Sequence, residues 1–342
     1  MEDELLLNPL KLYDKPVKQV ECEKYLGWYI DSEGLSECAN TTVNKRKGLV
    51  YKKISQIKSF IEDRRSEALG SISSALELWE LCCISFLLHS AENWISIKKE
   101  TLKTLDDLQN EFFRVIFRLP DSTPISILYF DTKTLSMKNR IWKKKALFAY
   151  HLEHLPPSSL AAEVWDAQKK FNYPGLADES REILCQLGLS DMSNYNALSW
   201  KKAVSERIHC LNHKELKSQF KRYKKLSYDQ LSKEKYEVKP YILKLNLKET
   251  RTMIRYRSQM IASIKFNQQS SKEFAKVLWV CSCPEKRIQS QRHLEICSKH
   301  EDLRKDIGLK DEKDIVRYFD AVLERKNKEE NDANLQRDDE EK

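Results

Sequence analysis

A mainly α-helical protein with a short N-terminal β-hairpin is the fold class the sequence predicts, and three observations predict it. The 342 residues include only 7 glycines and 9 prolines, too few turn formers for an all-β sandwich or barrel. Apolar residues, 41% of the chain, recur at steps of three and four through most of its length. Short β-type runs are confined to the region before Leu35. The length suggests about two domains at roughly 150 residues each.

Taken in order, Val17–Cys22 and Tyr25–Ile30 read as the strands, with Asp31-Ser-Glu-Gly34 as a turn signal. Val43, Leu49, Val50, Ile54, Ile57 and Ile61 then mark an amphipathic helix from about Leu35 to near Asp63. Lys45, Arg46, Lys47, Lys52, Lys53 and Lys58 crowd its polar side. Ser66 with Glu67 opens a second helix that carries Leu76, Trp79 and Leu88 to Trp94, and Thr101 caps a third through Ile116. Leu119 to Pro124 is a loop, and a fourth helix from about Met137 to Leu155 is ended by Pro156-Pro157. Two shorter helices follow, punctuated by Pro157-Ser-Ser159 and Asn172-Tyr-Pro-Gly175. A basic helical region from about Ala197 to Lys235 is broken at Pro240. Further helices are expected from Leu247 to Ile261 and near Asp314 to Arg325. The tail from Lys328 has seven acids, three bases and almost no apolar residue, and is expected to be disordered.

The first residues, Met1-Glu-Asp-Glu, are acidic and lack the basic-then-apolar layout of a secretory signal. The longest apolar run, Leu81 to Leu88, is far short of the roughly 20 residues a bilayer span needs. The first six of nine cysteines are scattered through helical surroundings, which does not suggest a disulfide framework. A protein of the nucleus or cytoplasm, neither secreted nor membrane-bound, is the expectation.

Cys281-x-Cys283-x9-His293-x3-Cys297 is the one constellation with metal-ligand spacing. Val277-Leu-Trp-Val280 reads as a strand, and residues two apart on a strand share a face, so Cys281 and Cys283 can point at one ion. His293 and Cys297, four apart in a helix-like stretch, also share a face. Three thiolates and one imidazole make a closed set suited to a structural Zn²⁺. His300 is an alternative fourth ligand, and a chance cluster of small buried residues is the competing reading.

The formal net charge is +8. Lys138, Arg140, Lys143, Lys144 and Lys145 surround Trp142, and Lys201 to Lys225 is also positive. In the helix before the cluster, Arg251 and Arg255 line one flank and Arg257 the other. Guanidinium groups of this kind suit phosphate oxygens, and several basic faces beside a zinc module form the footprint of a nucleic-acid binder. Lysine-rich helix faces are more often plain solvated surface, and the arginines can equally pair with carboxylates such as Glu249. No Gly-rich phosphate loop, Gly-x-Ser-x-Gly elbow or His-Glu-x-x-His occurs. Asp106-Asp107, inside a helical pattern, reads as surface charge rather than a two-metal site, and no catalytic residue is assigned.

Several segments resemble, in order, the C-terminal half of a non-LTR (LINE-type) retrotransposon reverse transcriptase. They are Lys24-Tyr-Leu-Gly-Trp-Tyr-Ile-Asp31, Ala75-Leu-Glu-Leu-Trp-Glu-Leu81, Ala91-Glu-Asn-Trp94 and Leu105-Asp-Asp-Leu-Gln-Asn-Glu-Phe112. Leu135-Ser-Met-Lys-Asn-Arg-Ile-Trp142, Arg255-Tyr-Arg-Ser-Gln-Met260 and the Cys/His group complete the series. The resemblance implies a palm-end hairpin over 1–34, a helical thumb-like domain over 35–157 and a basic helical linker over 158–262. A zinc-knuckle module over 263–326 and the tail over 327–342 follow. It also implies RNA and DNA as partners, gripped through duplex or hybrid backbone by Lys24, Tyr25 and Gly27 of the hairpin. Arg46, Arg140, Lys143, Lys144, Arg251, Arg255 and Arg257 are the further candidate phosphate contacts. The family's aromatic-x-Asp-Asp motif is absent, so a truncated or domesticated remnant without polymerase activity of its own is expected.

Overall fold

Scarce glycine and proline leave long uninterrupted helices, and the chain folds accordingly: mainly helical, with a short antiparallel hairpin near its start. The computed structural model describes residues 11–13, 15–16, 20–63, 71–171, 174–221, 233–260, 281, 283–284 and 291–340. The strand expected at 277–280 lies outside the described residues, as do the bases at 222–225. Lys11–Leu12 (β1) pairs with Lys15–Pro16 (β2), and Cys22–Tyr25 (β3) pairs with Trp28–Asp31 (β4). The run read as a single strand over Tyr25–Ile30 is split by a two-residue turn, because Leu26 and Gly27 take φ of 44° and 92°. Two successive positive φ values match the tight turn whose twist suits a hairpin. Arg46 Nη2 donates to the Gly27 carbonyl, and His89 Nε2 lies 3.0 Å from that of Leu26. A Cβ at position 27 would sit 2.8 Å from the His89 ring, so glycine is required there twice over.

The helices are Leu35–Glu62 (α1), Ile72–Leu78 (α2), Lys99–Phe117 (α3), Ile125–Asp131 (α4), Met137–Glu153 (α5), Leu160–Phe171 (α6) and Leu176–Leu187 (α7). Ala197–Phe220 (α8), Pro240–Lys244 (α9), Leu247–Arg257 (α10), Gln291–Ile296 (α11), Glu301–Ile307 (α12) and Glu312–Glu340 (α13) complete the series. Helix α2 starts where the Ser71 hydroxyl accepts from Ser74 N at 3.0 Å, a side-chain N-cap. It runs on through a π-helical turn, Trp79–Ile84, and stops by Leu87 instead of reaching Trp94. The wider turn shifts the helical phase, and Trp79 stacks on Phe112 with centroids 4.4 Å apart. Pro240 begins a helix rather than ending one, since its missing N–H falls at the first helical position. Asn246 and Glu249 close a reciprocal capping box on α10.

Two expectations need correction, and the last helix runs further than the sequence marks it. Helix α4 was not foreseen; every one of its residues is buried, so it carries no amphipathic period. Asp106 accepts from Met137 N at 3.1 Å and caps α5, and burial raises its carboxyl above the usual range; it is not simple surface charge. The acidic tail continues α13 as helical backbone through Glu340. No glycine or proline follows Gly308 to stop it, and Glu, Lys and Gln are good helix formers.

The chain divides into two compact units, each assembled from separate stretches of sequence. One comprises Met1–Gly48, Phe86–Leu105 and Ile141–Val204, and the other Leu49–Ser85, Asp106–Arg140 and Ser205–Lys342. Within the first, Trp200 is buried and donates to the Ala146 carbonyl at 3.1 Å, and Lys145 pairs with Glu179. Within the second, Phe112, Phe113, Phe117 and Phe130 are fully buried. Among the described residues, no helix is long and apolar enough to cross a membrane.

Candidate metal centre

Cys281, Cys283, His293 and Cys297 come together in the second unit. All four are buried, and one donor atom from each lies within 4.8 Å of the others. The Sγ atoms of Cys281 and Cys297 are 3.6 Å apart, and Cys283 Sγ is 3.5 Å from His293 Nε2. Helix α11 carries His293, and Cys297 follows its last residue, so the i, i+4 spacing brings both donors to one side. His293, not His300, completes the group, although His300 is also buried. Burial pushes the Cys281 thiol up to about 11, and the neighbouring sulfurs add to that. A cation at the centre of the group would reverse this preference by favouring thiolate. The group can hold a metal ion, and its four protein donors are the number a tetrahedral ion takes.

Residues the sequence did not single out hold this loop in place. Leu294 packs with Tyr318, Phe319 and Val322 in a small core of its own. Tyr318 donates to the Leu294 carbonyl at 2.5 Å, Arg304 to that of Cys297 at 2.8 Å and Arg325 to that of Lys299 at 2.9 Å. Arg325 also forms an ion pair with Asp302. Helix α13 is tied in turn to α10: Thr252 donates to Asp320 at 3.0 Å, and Tyr256 lies against Phe319. The sequence signal for these supports is faint: Tyr318 and Phe319 among the apolar positions Ile315, Val316 and Val322 of the last helix.

The candidate phosphate contacts divide into two groups. The arginines turn inward. Arg46 is 4% exposed and donates to the carbonyls of Leu87 and Gly27. Arg140 makes a bidentate pair with Glu80 at 2.6 and 2.5 Å. Arg251 donates to the Ile116 carbonyl at 2.8 Å and to Glu62 at 2.6 Å, and Arg255 reaches the Arg118 carbonyl at 3.0 Å. Arg257 holds Asp131 with two bonds of 2.6 and 2.8 Å, and Glu234 with a third at 2.8 Å. Burial opposes the Arg257 charge, yet the adjacent Asp131 carboxylate keeps its pKa well above the ordinary value. The physical reason is shared. A buried guanidinium needs acceptors for several fixed donors, and carbonyls and carboxylates of neighbouring helices supply them. Lys144 likewise pairs with Glu92 at 3.0 Å, and Lys143 is half-buried on α5.

The remaining cations face outward. Lys24 and Tyr25 are exposed on β3, with Gly27 in the adjoining turn. On α1, Lys45, Lys47 and Lys52 are exposed and Lys58 is half-buried, and none of the four makes an ion pair among the described residues. From Cys38 to Ile61 the helix has six bases and no acid. Tyr51 and Phe60 stand exposed among these lysines. No family model, curated protein or solved structure matches the chain.

Proposed function

We propose that the protein binds nucleic acid, RNA or DNA, through lysine-rich helical surface, with its Cys/His module held by a structural zinc ion. The acid-free stretch of α1 carries this reading, because four lysines at the surface of one helix with no carboxylate among them is the electrostatic pattern that polyphosphate selects. The resemblance to the C-terminal part of a non-LTR reverse transcriptase supports the same conclusion. It further suggests a protein of nucleus or cytoplasm that has no polymerase chemistry of its own. Zinc suits the donor set on chemistry and on size. Tetrahedral bonds of about 2.3 Å to sulfur and about 2.0 Å to nitrogen give edges of about 3.8 Å and about 3.5 Å. The corresponding separations here are 3.6 and 3.5 Å.

Fluorescence anisotropy with labelled RNA, DNA and hybrid duplexes, titrated from low to moderate salt, tests the reading. Binding should weaken steeply with salt. Replacing Lys45, Lys47, Lys52 and Lys58 together by glutamine should lower affinity at least about tenfold and flatten the salt slope by about 0.9 per lost contact. Salt-independent binding, or none at low ionic strength, would sink it. A second reading, a protein-interaction module, is favoured by one observation. Leu160, Val164 and Phe171 form an exposed apolar stripe along α6. Pull-down that enriches proteins equally with and without nuclease would prefer it.

A further inference from the structure

Helix α6, in the first unit, has two apolar faces. Ala162 and Trp165 are buried on one of them. On the opposite face Leu160, Val164 and Phe171 are 74%, 48% and 61% exposed, and Ala167 stands half-buried in line with them. Apolar residues exposed one at a time are ordinary. Four in a single line on a helix of 12 residues are not. Their steps of four, three and four are the spacing at which apolar side chains form the seam between two packed helices.

The charges beside this seam decide what covers it. Glu163 and Lys170 are seven residues apart, so two helical turns bring them to the same flank. Both are exposed, and neither makes an ion pair among the described residues. Asp166 and Lys169, nearer the buried face, are already paired at 2.9 Å. A lipid surface selects a helix with basic flanks, and a partner of one charge would be repelled by one member of the flank. An antiparallel copy of α6 matches both. Reversal sets Glu163 against Lys170 of the copy and Lys170 against its Glu163. It also sets Leu160 against Phe171 and Val164 against Ala167, with wide layers at both ends and narrow ones where the helices cross. A parallel copy would bring Glu163 beside the neutral Gln168 instead. The seam is thus complementary to itself when reversed, which is what a two-fold contact requires.

We propose that α6 is the contact through which two copies of this chain associate, antiparallel and about a two-fold axis. The exposed seam and its flank bury roughly 800 Å² in total, less than the ~1,200 Å² at which stable complexes begin. The pairing is therefore weak, and protein concentration controls it. It does not depend on nucleic-acid binding and stands whether or not that reading holds.

Sedimentation velocity of the full chain after nuclease treatment, across a concentration series, provides the test. The sedimentation coefficient should rise through a monomer–dimer transition with a Kd of about 10–300 µM. Val164→Asp, in the middle of the seam, should raise that Kd at least about tenfold, because association would bury an unpaired carboxylate. Its circular dichroism and melting temperature should not change. Glu163→Lys alone and Lys170→Glu alone should each weaken association about threefold to tenfold by setting like charges face to face. Combining the two exchanges the charges and should restore the original Kd to within about twofold. A chain that stays monomeric up to about 300 µM, a Val164→Asp variant that dimerises as before, or an exchanged pair no tighter than the single variants would overturn the assignment.

Discussion

Helices α1 and α10 look alike as strings of basic residues, and they use their charge in opposite ways. In α10, Arg251 and Arg257 spend their donors on Glu62, Asp131, Glu234 and a backbone carbonyl, and little of either remains accessible. In α1, three of the four lysines considered above are exposed, and none of the four makes an ion pair among the described residues. The contrast teaches that the count of bases says nothing about their availability. A guanidinium offers a planar fork that buried acceptors can saturate, so arginine enters a core more readily than lysine. A lysine side chain lies its stem along the surface and keeps its ammonium wet.

The largest effect should come from the centre of the α10 network. Arg257→Ala strands the fully buried Asp131 carboxylate and should cost about 3–5 kcal/mol in chemical denaturation. Arg257→Lys should rescue little, because one ammonium cannot replace the two-pronged contact. Near-wild-type stability in either variant would erase the distinction between the helices. Next, Cys297→Ser or a strong chelator should release one equivalent of zinc and melt helical signal contributed by the metal-bearing segment. Less than about half an equivalent of bound zinc in the purified protein would argue against the centre. Arg251→Ala, which leaves the Ile116 carbonyl without its side-chain donor and Glu62 with Arg118 alone, should cost about 2 kcal/mol.

The smallest effect is a pH dependence. Burial alone would raise the Glu62 carboxyl, but the guanidinium groups of Arg118 and Arg251 outweigh it and hold the carboxyl below the ordinary value. A depressed folded-state value means that the unfolded chain binds the proton first. The contribution is therefore present above the ordinary carboxylate range and lost as pH falls through and below it. Comparing wild type with Glu62→Gln by thermal melting from pH 7 to pH 3 should show a stability gap at neutral pH that closes on acidification. A gap independent of pH would assign Glu62 a packing role instead.

Local pattern was legible and long-range partnership was not. The end of α1, expected near Asp63 and found at Glu62, and the start of α5 at Met137 follow from apolar periodicity and flanking signals. The four metal donors follow from spacing, two cysteines two apart and a histidine and cysteine four apart within one short segment. Helix α4 escaped because Ile125–Phe130 is buried on all sides and no polar face marks its phase. The lone acid that closes it, Asp131, was the available clue, since an acid at the end of an apolar run needs a partner. The arginine pairings escaped for another reason. Arg251 meets a carboxylate 189 positions away and Arg257 one 126 positions away, distances at which sequence spacing carries no geometric information.

The three backbone carbonyls around the metal group that accept from Arg304, Tyr318 and Arg325 separate possessing ligands from being able to use them. A chain cut shortly after Cys297 would retain all four donor atoms and lose every side chain that sets the loop's curvature. Its affinity for an ion would fall although no ligand had been touched, so the competence of the site is written downstream of the site itself.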